Sequence, residues 1–196
     1  MIAEPKFPPQ NLTADEYHAW EEQQEFKYEY IDGEIIAMTG GSLDHNDIAL
    51  NLYRMLYPHL KKRGCRINVA DAKVQGKANR RYFYPDLVIS CHPEDKRSKK
   101  WIQYPSTIVE VLSPSTANYD KGRKLKLYRQ IPSLNEYILL DSRRISVELF
   151  QRQEGKIWGY SDYGKDESLT IPSLEFICAV NDIYEDIILE LEELET

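Results

Sequence analysis

The chain has no apolar stretch near the ~20 residues needed to span a bilayer. Met1 to Gln10, with two charges and three prolines, lacks the apolar core of a secretory leader. These absences make a cytoplasmic protein with no membrane partner the expectation. Cysteine is scarce. Cys65, Cys91 and Cys178 are odd in number and have no CxxC spacing, so they indicate neither a zinc site nor a disulfide framework. Cys91 and Cys178 stand in apolar stretches and read as small buried hydrophobes, which suits a reducing compartment. GxGxxG, P-loop and GxSxG patterns are all missing, so no small-molecule enzyme class has support. No helix-turn-helix, zinc finger or separate reading domain is visible either.

Positive charge is also in deficit, at 25 Lys and Arg against 32 Asp and Glu, a net charge of −7. The deficit is local. The last 16 residues hold Asp182, Glu185, Asp186, Glu190, Glu192, Glu193 and Glu195 and no Lys or Arg; without those seven acids the rest has 25 of each sign. Within that neutral body, residues 118–131 carry Lys121, Arg123, Lys124, Lys126 and Arg129 against Asp120 alone. A local basic surface can hold phosphate backbones, although long-range steering is weak.

Residues 1–12 read as a leader and 13–196 as one domain, ending in an acidic helix from about Asp182. Thr13 and Glu16 have the capping-box spacing at the start of a helix running to about Gln23. Tyr28–Ile31 and Glu34–Met38 are β-prone runs joined by Asp32-Gly33, a strong hairpin signal. Ser42 can cap a long helix whose Ile48, Leu52, Met55, Leu56 and Leu60 share one face, closed by Gly64. The pattern then turns to strands: Arg66–Ala70, Lys73–Gln75, a polar turn from Gly76 to Arg81, and Leu87–Ile89. After a charged loop, Pro93–Lys100, comes the strand Thr107–Leu112. A helix over about Asn118–Gln130 follows, and further strands lie near Tyr137–Leu140, Ile145–Phe150, Ile157–Tyr160 and Leu169–Ile171. The sum is a mixed α/β fold, a central sheet flanked by helices with an N-terminal β-hairpin.

Two carboxylates break the apolar pattern. Asp86 follows Pro85 at the mouth of one strand, and Glu110 sits inside the strand Thr107–Leu112. Alternation puts Ile108, Glu110 and Leu112 on one face and Val109 and Val111 on the other. A buried, unpaired carboxylate costs several kcal/mol or more, and two together repel. A divalent cation answers both problems, and hard oxygen donors suit Mg2+ or Mn2+. The alternative for Asp86 is a strand-entry cap, and for Glu110 an ion pair with a lysine of the next helix. On that helix Lys121, Lys124 and Tyr128 share a stripe, and a lysine near metal-bound water can orient it and stabilise charge on phosphorus. Two carboxylates, an ammonium and a basic helix together point to phosphodiester hydrolysis.

The runs YEYIDGEIIAM, SLDHNDIALNL, YPDLVIS, TIVEVLSPST, and DKGRKLKLY followed by NEYILLD resemble the Uma2 family. These are restriction-type endonucleases of the PD-(D/E)XK superfamily, and the likeness extends over roughly Thr13 to Ile188. The resemblance implies a restriction-endonuclease-like core with a metal site at the sheet rim. Asp86 is then the PD aspartate, Glu110 the second acid, and the Val111 backbone carbonyl a further ligand to Mg2+. The position two after Glu110 is Leu112 rather than lysine, and Asp120, Lys124 and Tyr128 match a D-x3-K-x3-Y pattern that supplies Lys124 instead. Glu34 is implied as an assisting metal acid, His45 as a supporting residue, and Lys121, Arg123 and Lys126 as backbone contacts. Glu29 falls in the same matched hairpin. Asp71 and Lys73 are candidates to line the cleft, against the simpler reading of an exposed strand pair. The implied activity is Mg2+-dependent cleavage of double-stranded DNA by a homodimer. The alternative is an inactive nuclease-like fold serving as a nucleic-acid or protein-interaction module.

Overall fold

A computed structural model of the chain describes residues 8–38, 40–77 and 79–189. The leader residues 1–7 and the acidic residues 190–196 lie outside the described part. The capping box forms: the Glu16 N–H reaches Thr13 Oγ1 at 3.3 Å while Glu16 Oε2 accepts from the Thr13 N–H at 2.8 Å, starting α1 (Ala14–Glu21). β1 (Tyr28–Ile31) and β2 (Glu34–Ala37) close through Asp32 and Gly33, both at positive φ, the conformation Asp-Gly accommodates at least cost. These strands join β4 (Val74–Gln75) and β5 (Arg81–Phe83) in an antiparallel sheet ordered β2-β1-β5-β4. The expected polar turn ends one residue early, at Arg80. Arg81-Tyr82-Phe83 pairs with β1 and β4, a partnership that local pattern does not reveal.

α2 (Leu43–Lys62) is capped by the Ser42 hydroxyl and ends before Gly64 at φ +66°. Its buried Ile48, Leu52, Leu56 and Leu60 pack on a six-stranded mixed sheet. That sheet is ordered β10-β9-β8-β7-β6-β3, with β3 Arg66–Val69, β6 Leu87–Ser90, β7 Thr107–Leu112, β8 Glu136–Asp141, β9 Val147–Arg152 and β10 Trp158–Tyr163. Only β7 and β8 pair in parallel, and the crossover between them holds the basic helix. Leu87, Ile89, Val109, Val111, Ile138 and Leu140 meet α2 on one face, while Val88, Ile108, Leu112, Tyr137 and Leu139 face the other core with Tyr128. This is a restriction-endonuclease-like α/β fold with an N-terminal hairpin.

The charged segment after β6 is a short helix, α3 (Pro93–Arg97), with Pro93 at its first turn and His92 as cap. The buried Asp95 carboxylate ties it down, accepting from Ser90, Gln103 and Tyr104. β11 (Ser168–Ile171) pairs with β12 (Phe176–Ala179), which the apolar pattern had not marked. The expected acidic helix reduces, among the described residues, to α6 (Val180–Ile183); the chain then turns, with Asp186 at φ +62°. Ile183 is part of the main core and Ile187 packs against it. The expectation that no disulfide forms is overturned, whereas that of a buried Cys178 holds. Cys65 and Cys91 form a disulfide, because the β3–β6 register that pairs Arg66 with Ser90 sets them opposite one another. Cys178 is free and buried, and burial raises its thiol pKa to about 11. Among the described residues no helix is long and apolar enough to cross a membrane.

Candidate active site

β6 and β7 run antiparallel with Leu87 paired to Val109. One step further along this register Asp86 stands opposite Glu110, so 24 residues of sequence separation become adjacency at the sheet rim. The Val111 N–H, past the last β6 pair, donates to Asp86 Oδ2 at 2.7 Å. His45 Nε2 lies 3.3 Å from the same oxygen. The Ser42 cap fixes His45 in the first turn of α2, and Gly41 makes room for its ring: a Cβ at Gly41 would stand 2.5 Å from His45 Nδ1. Burial opposes a charge on His45, but the Asp86 carboxylate and the Val111 backbone outweigh it and raise its pKa above the ordinary histidine value.

Glu110 is 4% exposed and Lys124 5%. Glu110 Oε1 accepts from Lys124 Nζ at 2.8 Å and from the Tyr128 hydroxyl at 2.9 Å. The same ammonium lies 3.0 Å from Glu29 Oε1 and 3.5 Å from Asp120 Oδ1. Glu29 is further held by the Tyr84 N–H and the Tyr119 hydroxyl. Burial raises the Glu110 pKa well above the carboxylate range, Lys124 opposing and the acids Asp86, Asp120 and Glu29 adding to it. For Lys124 burial acts downward, yet attraction to Glu110, Glu29 and Asp120 prevails and the ammonium is held more tightly than in water.

The helix that delivers Lys124 is not uniform. α4 (Ala117–Tyr119) and α5 (Leu125–Tyr128) flank a π-helical turn over Asp120–Lys124, in which the Leu125 N–H bonds back to the Asp120 carbonyl. In a pure α-helix, residues eight apart are rotated by about 80°. A π turn rotates less per residue, and this one cancels most of that drift. Asp120, Lys124 and Tyr128 are consequently all buried in one cluster.

Asp86, Glu110, Val111, His45, Glu29, Asp120 and Lys124 line one cavity of about 790 Å3, with Asp71 at its wall. Other expected residues are elsewhere. Glu34 is exposed and ion-paired with Arg123, outside the cavity lining. Its neighbour Glu29 is the hairpin acid that reaches the cluster, since the β1 pleat turns Glu29 inward. The signal is of the kind that marks Glu110, a carboxylate within a β-prone run, here an aromatic one. Lys121 pairs with Glu148 at 2.5 Å rather than joining Lys124, and Lys126 is exposed with no ion pair among the described residues. Lys73 turns away from the cleft into a box of Tyr17, Tyr82 and Tyr84, bonded to Glu21 at 2.6 Å.

Among the described residues no three His, Cys, Asp or Glu side chains form a ready-made metal cage. The donor chemistry nonetheless fits a hard divalent cation. Four carboxylates surround one ammonium and one histidine, and Mg2+ is commonly held by one or two carboxylates together with water and phosphate oxygens. Asp86 Oδ1 and Glu110 Oε2 accept no hydrogen bond among the described residues, so each acid retains a donor oxygen.

Residues 14–181 match the family model described as "Uma2: Putative restriction endonuclease". One uncharacterized protein of Synechocystis sp. is 38% identical over 185 residues, covering 94% of this chain and 97% of its own length. A second uncharacterized protein of the same organism is 41% identical over 149 residues, covering 75% and 84% respectively. Among solved structures, a crystal structure of "a putative nuclease belonging to DUF820" from Anabaena variabilis superposes with a TM-score of 0.74. It covers 88% of this chain and 97% of its own at 17% identity, so the likeness is one of fold.

Proposed function

The chain belongs to the Uma2 family, and from that premise we propose that it is a metal-dependent endonuclease cleaving DNA phosphodiester bonds at the Asp86–Glu110–Lys124 cluster. The observation that carries the reading is that Asp86, one residue before the β6–β7 pairs, lines one cavity with Glu110 and with the Lys124 ammonium bonded to Glu110. Asp86, Glu110 and the Val111 carbonyl would hold Mg2+ or Mn2+. A cation bound there supplies Lewis-acid polarisation of the phosphodiester and lowers the pKa of an attacking water.

The protein's own groups do the rest. Lys124 opposes the burial that raises the Glu110 pKa and presents positive charge where negative charge develops on phosphorus. The Tyr128 hydroxyl donates to the same Glu110 oxygen as Lys124 and helps fix its rotamer. His45 and the Val111 N–H orient Asp86. Lys126 is free to meet a phosphate, whereas Lys121 and Arg123 must exchange Glu148 and Glu34 for one. Cutting both strands of a duplex calls for two sites, and hence a homodimer.

A plasmid-nicking assay with Mg2+, Mn2+ or EDTA tests the proposal. Wild type should relax supercoiled DNA only with metal, while Asp86→Asn and Glu110→Gln should fall to the EDTA level. Cleavage that persists in both variants would overturn the site. DNA binding without cleavage in any metal would favour the non-catalytic module. That second reading draws on the fact that His45 and Lys124 already provide internal counter-charges to both acids.

A further inference from the structure

A second concavity, of about 670 Å3, opens where the β4–β5 turn, the end of α5 and the β9–β10 hairpin meet. Lys77, Arg129, Gln130, Arg152, Lys156 and Trp158 contribute to its wall, which includes no acidic residue and shares no residue with the acid cavity. Arg152 is the fixed member. Its guanidinium donates to the carbonyls of Leu134 at 2.7 Å, Ile131 at 2.7 Å and Arg129 at 3.1 Å, so it is anchored without meeting a carboxylate. Burial, and then the Arg129 charge, lower its pKa, as expected for a cation placed among cations.

Arg152 and Arg129 lie 4.6 Å and 5.7 Å from the centre of the half-buried Trp158 indole. Lys77, Arg129 and Lys156 are exposed and join no ion pair among the described residues. Neighbouring basic residues behave differently: Arg80 and Arg81 are both satisfied by Asp32, Lys121 by Glu148 and Arg123 by Glu34. Four like charges thus converge on one hollow of a chain with net charge −7, and folding alone gives no reason for the convergence. The volume matches a nucleotide-sized ligand rather than a single ion. Spread cations beside an aromatic face are the combination that tracks a phosphate backbone while stacking a base.

We propose that this cavity is a binding site for a nucleic-acid strand, with phosphates on Lys77, Arg129 and Lys156 and a base against Trp158. Arg152 acts as a positioning residue that holds the indole and the end of α5 in place. The identity of the ligand rests on the endonuclease reading; the cationic hollow itself does not.

The test is fluorescence anisotropy of labelled single- and double-stranded oligonucleotides in EDTA, where cleavage cannot interfere. Wild type is compared with a Lys77→Gln/Lys156→Gln double variant and with Trp158→Leu, all checked for unchanged melting. Loss of two phosphate contacts should lower affinity about tenfold and flatten the salt dependence of log K by roughly 1.5. Trp158→Leu should lower affinity by a similar factor of about ten with little change in salt slope, the mark of lost stacking. Oligonucleotide binding unchanged in both variants, or absent in wild type, overturns the proposal. So does binding of inorganic phosphate or a nucleoside monophosphate that depends on these residues while strand binding does not. The two readings fail separately. Pocket-dependent binding without cleavage in any metal removes the endonuclease and keeps the strand site; normal nicking with pocket-independent binding does the reverse.

Discussion

Among the described residues Lys124 is the only ammonium paired with Glu29, Glu110 and Asp120, so its removal strands more charge than a usual buried pair would. Breaking a buried pair by deleting one partner typically costs about 3–5 kcal/mol. Lys124→Met should lose at least that much in urea unfolding, and adding Glu110→Gln should recover part of it. A stability change below 1 kcal/mol (about the worth of an exposed pair) would mean the cluster is hydrated and loosely coupled. His18 offers a pH-dependent counterpart far from the acids. Its Nδ1 faces Lys73 Nζ at 3.2 Å, and its ring stacks on Trp101. Burial first, then the Lys73 charge, hold its pKa below 6.5. The folded protein therefore binds this proton less readily than the unfolded chain. The stability His18 contributes is complete above the unfolded value and is lost as pH falls through the lower folded one. Wild type should melt progressively lower from pH 7 to pH 5 relative to His18→Gln; parallel melting curves would contradict this.

At the scale of elements, the 117–128 helix converts spacing into chemistry. Deleting Gly122 should convert the π turn to α, rotate Asp120 off the Lys124 stripe and abolish metal-dependent nicking. Gly122→Ala, whose Cβ would meet nothing within 4 Å, should keep activity and gain about 0.5–1 kcal/mol, the glycine-to-alanine difference in helices. Equal activity in the two variants would show the turn to be incidental. The helix itself was legible in the sequence from its flanking breakers and apolar spacing; the π turn was not, because i→i+5 bonding leaves no residue signature. Likewise α2, the first hairpin and the Asp86 and Glu110 strands were legible, since capping residues, Asp-Gly and misplaced carboxylates are local signals. β5 and β12 were not, because each is defined by a partner distant in sequence. The exchange of Glu34 for Glu29 belongs to the same class: which face of β1 and β2 turns inward depends on the sheet they join.

At the scale of the molecule, the disulfide closes a loop between residues 26 apart, a constraint on the unfolded chain that chain-entropy models value at about 3.5 kcal/mol. Cys65→Ser should lower urea stability by up to about that amount, and thiol titration of the unfolded, unreduced protein should find Cys178 alone. Three reactive thiols would show that the bridge does not form in solution. Its spacing could not be read from three scattered cysteines, since only the β3–β6 register brings two of them together.

That bridge and the acid pair belong to the same strand. Cys91 locks β6 at one end, while Asp86 emerges five residues away, about 17 Å along an extended chain, where the Ala70 N–H holds its carbonyl at 2.8 Å. A slip of one residue would invert every side chain of β6, carrying Asp86 to the opposite face from Glu110. A covalent pin at the far end of a short strand thus acts as a gauge block: it sets the distance and the phase at which the aspartate is offered to its partner. Reduction would be felt first as a broadened distribution of Asp86 positions, before any loss of global fold.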